Sequence, residues 1–153
     1  MFKDALNELA ALSVAGVSAN FGVEAVPERL HRAQLPVLLV LPLAINATRS
    51  QRLFRERGGA FETLGFADGV RTVNYSVTHL LLTDPVAVER GLRDHLPGLI
   101  DLIDAYFTAL AAAVTLNGRL IEPAQVRVDP GTFTHGEVDY IGCAFRHNWV
   151  VQI

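Results

Sequence analysis

Five histidines, His31, His79, His95, His135 and His147, and a single cysteine, Cys143, are the side chains of this sequence best suited to hold a metal ion or move a proton. His79 falls in the alternating run Val73, Tyr75, Val77, His79, Leu81. His147 falls in another, Ile141, Cys143, Phe145, His147, Trp149, Val151, Ile153. Residues two apart on a strand share a face. Both imidazoles are therefore placed on apolar faces, and they meet if the two strands face one core. A metal site there would need a third ligand, such as Cys143 or His135. No pair has the HExxH spacing of a helical zinc site, and one cysteine allows neither a CxxC pattern nor an intrachain disulfide. The plainer expectation is a pair of packed, hydrogen-bonded imidazoles, since buried polar groups are nearly always partnered.

Other candidates lead to similarly plain readings. Asp101 and Asp104 lie three apart on a predicted helix, with Asp94 earlier on it. A desolvated carboxylate pair can do acid–base work, but these fall opposite the apolar stripe and are expected in solvent. Ser13, Ser18, Ser50 and Ser76 lack a nucleophile motif, and Cys143 alternates with large apolar residues as core filling does. Gly58-Gly59 is not a phosphate loop, because no GxGxxG or GxxxxGK[ST] is present. The sequence thus predicts a non-enzymatic chain with no cofactor and no metal. Its main charge feature is Arg49, Arg52, Arg55 and Arg57 against Glu56, within a connection over residues 43–60. That connection is either a solvated loop or a contact with an acidic partner surface or passing nucleic acid.

The elements that must position these groups follow from periodicity. Apolar residues at steps of three and four predict a helix over residues 2–16, ended by Gly16 and Asn20-Phe21-Gly22. A short strand is expected at 22–26. The apolar run 35–41 predicts a central strand covered on both faces. Residues 61–66 and 70–83 read as a hairpin around Ala67-Asp68-Gly69. Asp84-Pro85 has the chemistry of a helix start. The body that follows carries Leu92, Leu96, Leu99, Ile100, Ile103, Tyr106, Phe107, Leu110 and Val114, with a kink or break expected at Pro97 and a stop at Asn117-Gly118. A strand at 125–128, a turn at Asp129-Pro130-Gly131 and a last strand from about 139 complete the chain. The coarse order α-β-β-β-α-β-β predicts an α+β fold: a mainly antiparallel sheet flanked by an N-terminal helix and one long, Pro-kinked helix.

The chain has 153 residues, of which 50% are apolar and 19% charged. That is enough for one domain with a real core, and no internal repeat or domain boundary is visible. A net charge of −3 excludes nucleic-acid binding by bulk electrostatics. The single cysteine suits a reducing compartment. The N-terminus lacks the pattern of a signal peptide, and the most apolar segment, 35–45, is too short to cross a bilayer.

Four segments carry a resemblance to a known family. They are Gln34-Leu35-Pro36-Val37-Leu38-Leu39-Val40-Leu41-Pro42 after the N-terminal helix, Val73-Asn74-Tyr75-Ser76-Val77-Thr78-His79-Leu80-Leu81, Leu99-Ile100-Asp101-Leu102-Ile103-Asp104-Ala105-Tyr106, and Tyr140-Ile141-Gly142-Cys143-Ala144-Phe145-Arg146-His147-Asn148-Trp149. Together they span nearly the whole chain, and the chain resembles the tail terminator (tail completion) neck proteins of long-tailed, siphovirus-type phages. None of the four is a catalytic signature. The resemblance implies a structural virion protein, assembled in the host cytoplasm. It would form a ring, usually of six subunits, at the head-proximal end of the tail tube, ending tube growth and joining the tail to the head connector. The implied partners are the chain itself, the tail tube protein, a connector or stopper protein, and transiently the DNA in the channel, with no membrane. The arginine-bearing connection would then reach a neighbouring ring or line the channel. Three alternatives stay open: another neck ring adaptor such as a head-completion or stopper protein, a component of a related injection or gene-transfer particle, and a small metal-dependent enzyme using His79, His147 and Cys143.

Overall fold

The apolar alternations of the sequence become one sheet. A computed structural model of the chain describes residues 2–42, 62–67, 70–86 and 92–152. The candidate loop residues Arg49, Arg52, Arg55 and Arg57 lie outside the described residues. The elements are α1 (Phe2–Ala10), β1 (Ala19–Phe21), a 3-10 turn (Arg32–Gln34), β2 (Val37–Leu41), β3 (Glu62–Ala67), β4 (Val70–Pro85), α2 (Leu92–Ala111), β5 (Gln125–His135) and β6 (Val138–Gln152). The fold is α+β. The sheet runs in the order β1-β2-β4-β6-β5, with β3 also paired to β4. Every pairing is antiparallel except β1 with β2.

β4 organises the sheet by its length. One edge pairs with β6 from Thr72 to Pro85. The other edge is shared, with β3 on Val70–Asn74 and β2 on Thr78–Leu82. On one face Leu38, Val40, Val73, Tyr75, Val77, Leu81, Ile141, Cys143, Phe145, Trp149 and Val151 form the main core with α1 and α2. On the other face Val37, Leu39, Leu80, Leu82, Phe133, Tyr140 and Ala144 form a smaller core, roofed by Val26, Leu30 and Leu35 of the β1–β2 connection. β2 is thus buried on both sides, as its unbroken apolar run predicts.

Several expected boundaries shift. The N-terminal helix stops at Ala10, and the short strand falls at Ala19–Phe21 rather than at 22–26. Four strands precede α2, as the individual segments predict and one more than the coarse order counts. Asp84-Pro85 does not start the helix. β6 offers β4 a longer partner, so after a bulge between Leu82 and Asp84 the strand continues, pairing Asp84 with Ile141 and Pro85 with Tyr140. Gly142 allows that close crossing: a Cβ there would stand 1.9 Å from the Leu81 carbonyl oxygen. α2 then runs through Pro97 without ending. Near a helix start a missing amide removes only one intrahelical bond.

Asp129-Pro130-Gly131 is not a turn. It lies inside β5, whose terminal position in the sheet tolerates a proline. The turn falls instead at Gly136-Glu137, where φ is +57° and +68° and the flanking pair is His135 with Val138. Two central residues with positive φ give the hairpin turn whose twist suits antiparallel strands.

Candidate functional site: a buried histidine relay and the surfaces around it

The register brings the two predicted strand histidines together. His79 pairs across the sheet with Phe145 and His147 with Val77, so the imidazoles sit diagonally on the α2-facing side, ring centres 6.4 Å apart. Tyr106 descends from α2 between them, stacked on Phe145. Its hydroxyl lies 2.8 Å from His79 Nδ1 and 2.6 Å from His147 Nε2. Trp149, two residues along the same strand face, donates its indole N–H to His147 Nδ1 at 3.1 Å. At the other end His79 Nε2 is 2.9 Å from Asn20 Oδ1, while Asn20 Nδ2 donates to the carbonyls of Leu9 and Leu12 at the end of α1.

Hydrogen-bond logic fixes every proton in this chain. The two main-chain carbonyls can only accept, so the Asn20 amide nitrogen faces them and its oxygen faces His79. His79 therefore donates from Nε2 and accepts at Nδ1. The indole can only donate, so His147 accepts at Nδ1 and donates from Nε2. Tyr106 must accept from His147 and donate to His79. The order of donation is Trp149, His147, Tyr106, His79, Asn20, then α1. Both imidazoles are neutral in this arrangement, and their surroundings agree. Burial, with His147 close by, holds His79 well below the ordinary histidine value, and burial pushes His147 down to about 3. Burial also holds the Tyr106 phenol well above its usual value and pushes the Cys143 thiol up to about 12.

This arrangement ties together two helices and three strands, and it has no opening for a substrate. His79, Tyr106, His147 and Trp149 are each at most 1% exposed. Nor does it suit a metal, because all four ring nitrogens are already engaged in hydrogen bonds. His135, the other proposed third ligand, points elsewhere, with its Nε2 2.7 Å from the Pro27 carbonyl. Among the described residues no three His, Cys, Asp or Glu side chains converge as a metal site would require. Asp94, Asp101 and Asp104 are exposed, as their place opposite the buried stripe predicts. Compared with known proteins, the chain matches no family model, no curated protein and no solved structure.

Sequence reasoning placed His79 and His147 correctly but missed Tyr106, Trp149 and Asn20 as their partners. Tyr106 was legible in principle, as a polar-tipped member of the buried stripe of α2. Trp149 was legible as the same-face neighbour of His147. Asn20 was not, because its role depends on β1 lying beside the end of α1.

Sequence reasoning also missed a cleft of about 710 Å³ between the end of β4 and the start of α2, lined by Arg32, Thr83, Asp84, Asp94, His95 and Leu99 among others. In it Asp84 Oδ2 lies 3.2 Å from His95 Nδ1, and the buried Nε2 of His95 has no hydrogen-bond partner among the described residues. No helix among the described residues is long and apolar enough to cross a membrane.

The outer surface departs further from expectation. The apolar residues predicted as one stripe of α2 divide in two. Leu99, Tyr106 and Leu110 are buried against the sheet, whereas Leu96, Ile100, Phe107 and, just past the helix, Val114 are 39%, 55%, 38% and 43% exposed. Leu96, Ile100 and Phe107 follow at steps of four and seven and so form a continuous ridge. At the far side of the molecule β5 ends the sheet, hydrogen-bonded to β6 and to no other described strand.

Proposed function

We propose that this chain is a structural virion protein that forms a ring at the head-proximal end of a phage tail tube, ends tube growth and joins the tail to the head connector. The observation that carries this reading is the exposed ridge Leu96, Ile100, Phe107 on α2. Contiguous exposed apolar surface marks a place where another protein binds. The terminal strand β5, a second and chemically different surface, supports the same reading, because such a ring also has to contact the tube and the connector. The resemblance of the four sequence segments to tail terminators supplies the particular assembly. The ring would have six subunits, with the tail tube protein and a connector or stopper as neighbours. The sheet and α2 would form its rigid body, cross-tied by the buried relay.

The same surfaces suit another neck adaptor, such as a stopper. The metal-enzyme alternative draws no support from His79 and His147, whose nitrogens are committed. The test is native mass spectrometry of the purified protein, followed by electron microscopy after mixing with purified tail tubes. A six-subunit species, or protein captured at one end of each tube, is expected. A protein that stays monomeric and ignores tube ends sinks the proposal. Capture at the head vertex instead of the tube end selects the stopper reading.

A further inference from the structure

The α2 ridge has a border as well as an apolar crest. Asp104 lies one turn from both Ile100 and Phe107, Asp101 lies beside it, and Asp94 stands at the start of the helix. All three are exposed, and Asp101 and Asp104 have no ion-pair partner among the described residues. The one basic residue on this part of the helix is Arg93. A partner for such a face must be apolar along its centre and basic at its flank. Packing α2 against α2 of a second copy would set these aspartates against each other and would give a closed pair rather than a ring.

The chain itself contains a segment of the required composition. Residues 43–61 carry Leu43, Ile45, Leu53, Phe54 and Phe61 together with Arg49, Arg52, Arg55 and Arg57, against one acid, Glu56. Its two ends emerge on one side of the sheet: β2 ends at Leu41 opposite Thr78, and β3 begins at Glu62 opposite Asn74, both on the same edge of β4. α2 instead packs over β6, on the other side of β4. The ends of the segment and the strand that α2 covers thus lie at different edges of β4. A nineteen-residue excursion can project by half its contour, roughly 30 Å. That exceeds a domain radius of about 15 Å and the roughly 17 Å length of the ridge from Leu96 to Phe107.

We infer that, in the assembled ring, residues 43–61 of one copy dock along the Leu96–Ile100–Phe107 ridge of α2 in the next copy. Leu53 and Phe54 cover the crest, and the arginines pair with Asp94, Asp101 and Asp104. This inference rests on the ring reading for its biological setting, but the contact can be tested by itself. The probe is a fluorescent peptide of residues 43–61, followed by anisotropy. The acceptor is the full chain carrying Arg52→Glu and Arg55→Glu, whose own segment no longer competes for the ridge. Saturable binding is expected. Adding Asp101→Lys and Asp104→Lys to the acceptor should weaken it by at least about 5-fold, since each exposed pair is worth a few tenths to one kcal/mol and reversal adds repulsion. Ile100→Asp should weaken it by a similar factor. A peptide with Arg52→Glu and Arg55→Glu should recover binding to the Lys-substituted acceptor. Circular dichroism checks that each acceptor is folded. No binding, or binding indifferent to these α2 changes, overturns the inference. If rings form and the peptide does not bind, the docking contact is wrong and the ring reading stands. If the peptide binds as expected while neither rings nor tube-end capture occurs, the docking contact stands and the ring reading falls.

Discussion

The two sides of α2 each carry an exception to the usual arrangement of a surface helix. Its inward side carries a buried polar contact, the Tyr106 hydroxyl held between two imidazoles. Its outward flank carries Leu96, Ile100 and Phe107 in contact with solvent. The inward polar contact is fully satisfied, so it specifies how α2 lies on the sheet rather than simply adding burial. The outward apolar surface is left partly exposed, and in the proposed ring another chain would cover it. One helix therefore separates two tasks. Changes on its inner side should alter folding, and changes on its outer flank should alter assembly.

Acid should give the largest effect on the inner side. Both relay histidines are neutral when folded and take up protons near 6.5 when unfolded, so below that value the unfolded state binds more protons. Stability is then complete above about pH 6.5 and falls as the pH drops toward the folded value of about 3 for His147. The loss is about 1.4 kcal/mol per pH unit for each histidine that stays neutral. Denaturant titrations at pH 7 and pH 5 should differ accordingly, and His147→Gln should reduce that difference by about half.

A smaller loss is expected from Tyr106→Phe, which leaves His79 Nδ1 without a donor and His147 Nε2–H without an acceptor. Two buried unsatisfied groups cost roughly 2–4 kcal/mol, to be read as a shifted urea midpoint with unchanged slope. Asn20→Ala removes one histidine contact and the cap on Leu9 and Leu12, at a cost of about 1–2 kcal/mol. Amide exchange should rise specifically at the end of α1. The outer flank should behave in the opposite way: Ile100→Asp is expected to change monomer stability by about 0.5 kcal/mol or less while abolishing ring formation or tube-end capture. An Ile100→Asp chain that assembles normally removes the division of labour between the two sides of α2. At the bottom of the scale, Arg127→Ala loosens the exposed Arg127–Asp129 pair on β5, where 2.9 Å separates the groups. It should cost well under about 1 kcal/mol.

The sequence by itself determined the strand faces, because a period of two is a local property and side-chain polarity marks it directly. Val73 to Leu81 fall on one face of their strand and Ile141 to Val151 on one face of theirs, with His79 and His147 among them; that the two faces meet in one core depends on the pairing of β4 with β6. The sequence also determined the double burial of β2 and the α+β class. The tertiary structure alone decided where elements end. Asp84-Pro85 and Asp129-Pro130-Gly131 have the local chemistry of a helix start and a turn, yet both are drawn into long strands by β6, which offers continuous hydrogen bonding that no local preference matches. The tertiary structure also decided which half of the apolar stripe of α2 is covered. A helix wheel gives the width of the stripe, whereas the seating of the helix on the sheet determines that Leu99 and Tyr106 are buried while Ile100 and Phe107 stay partly exposed. The relay depends on the same placement. Asn20, His79, Tyr106, His147 and Trp149 come from four separate elements, and their hydrogen bonds exist only where packing brings those elements within about 3 Å of one another.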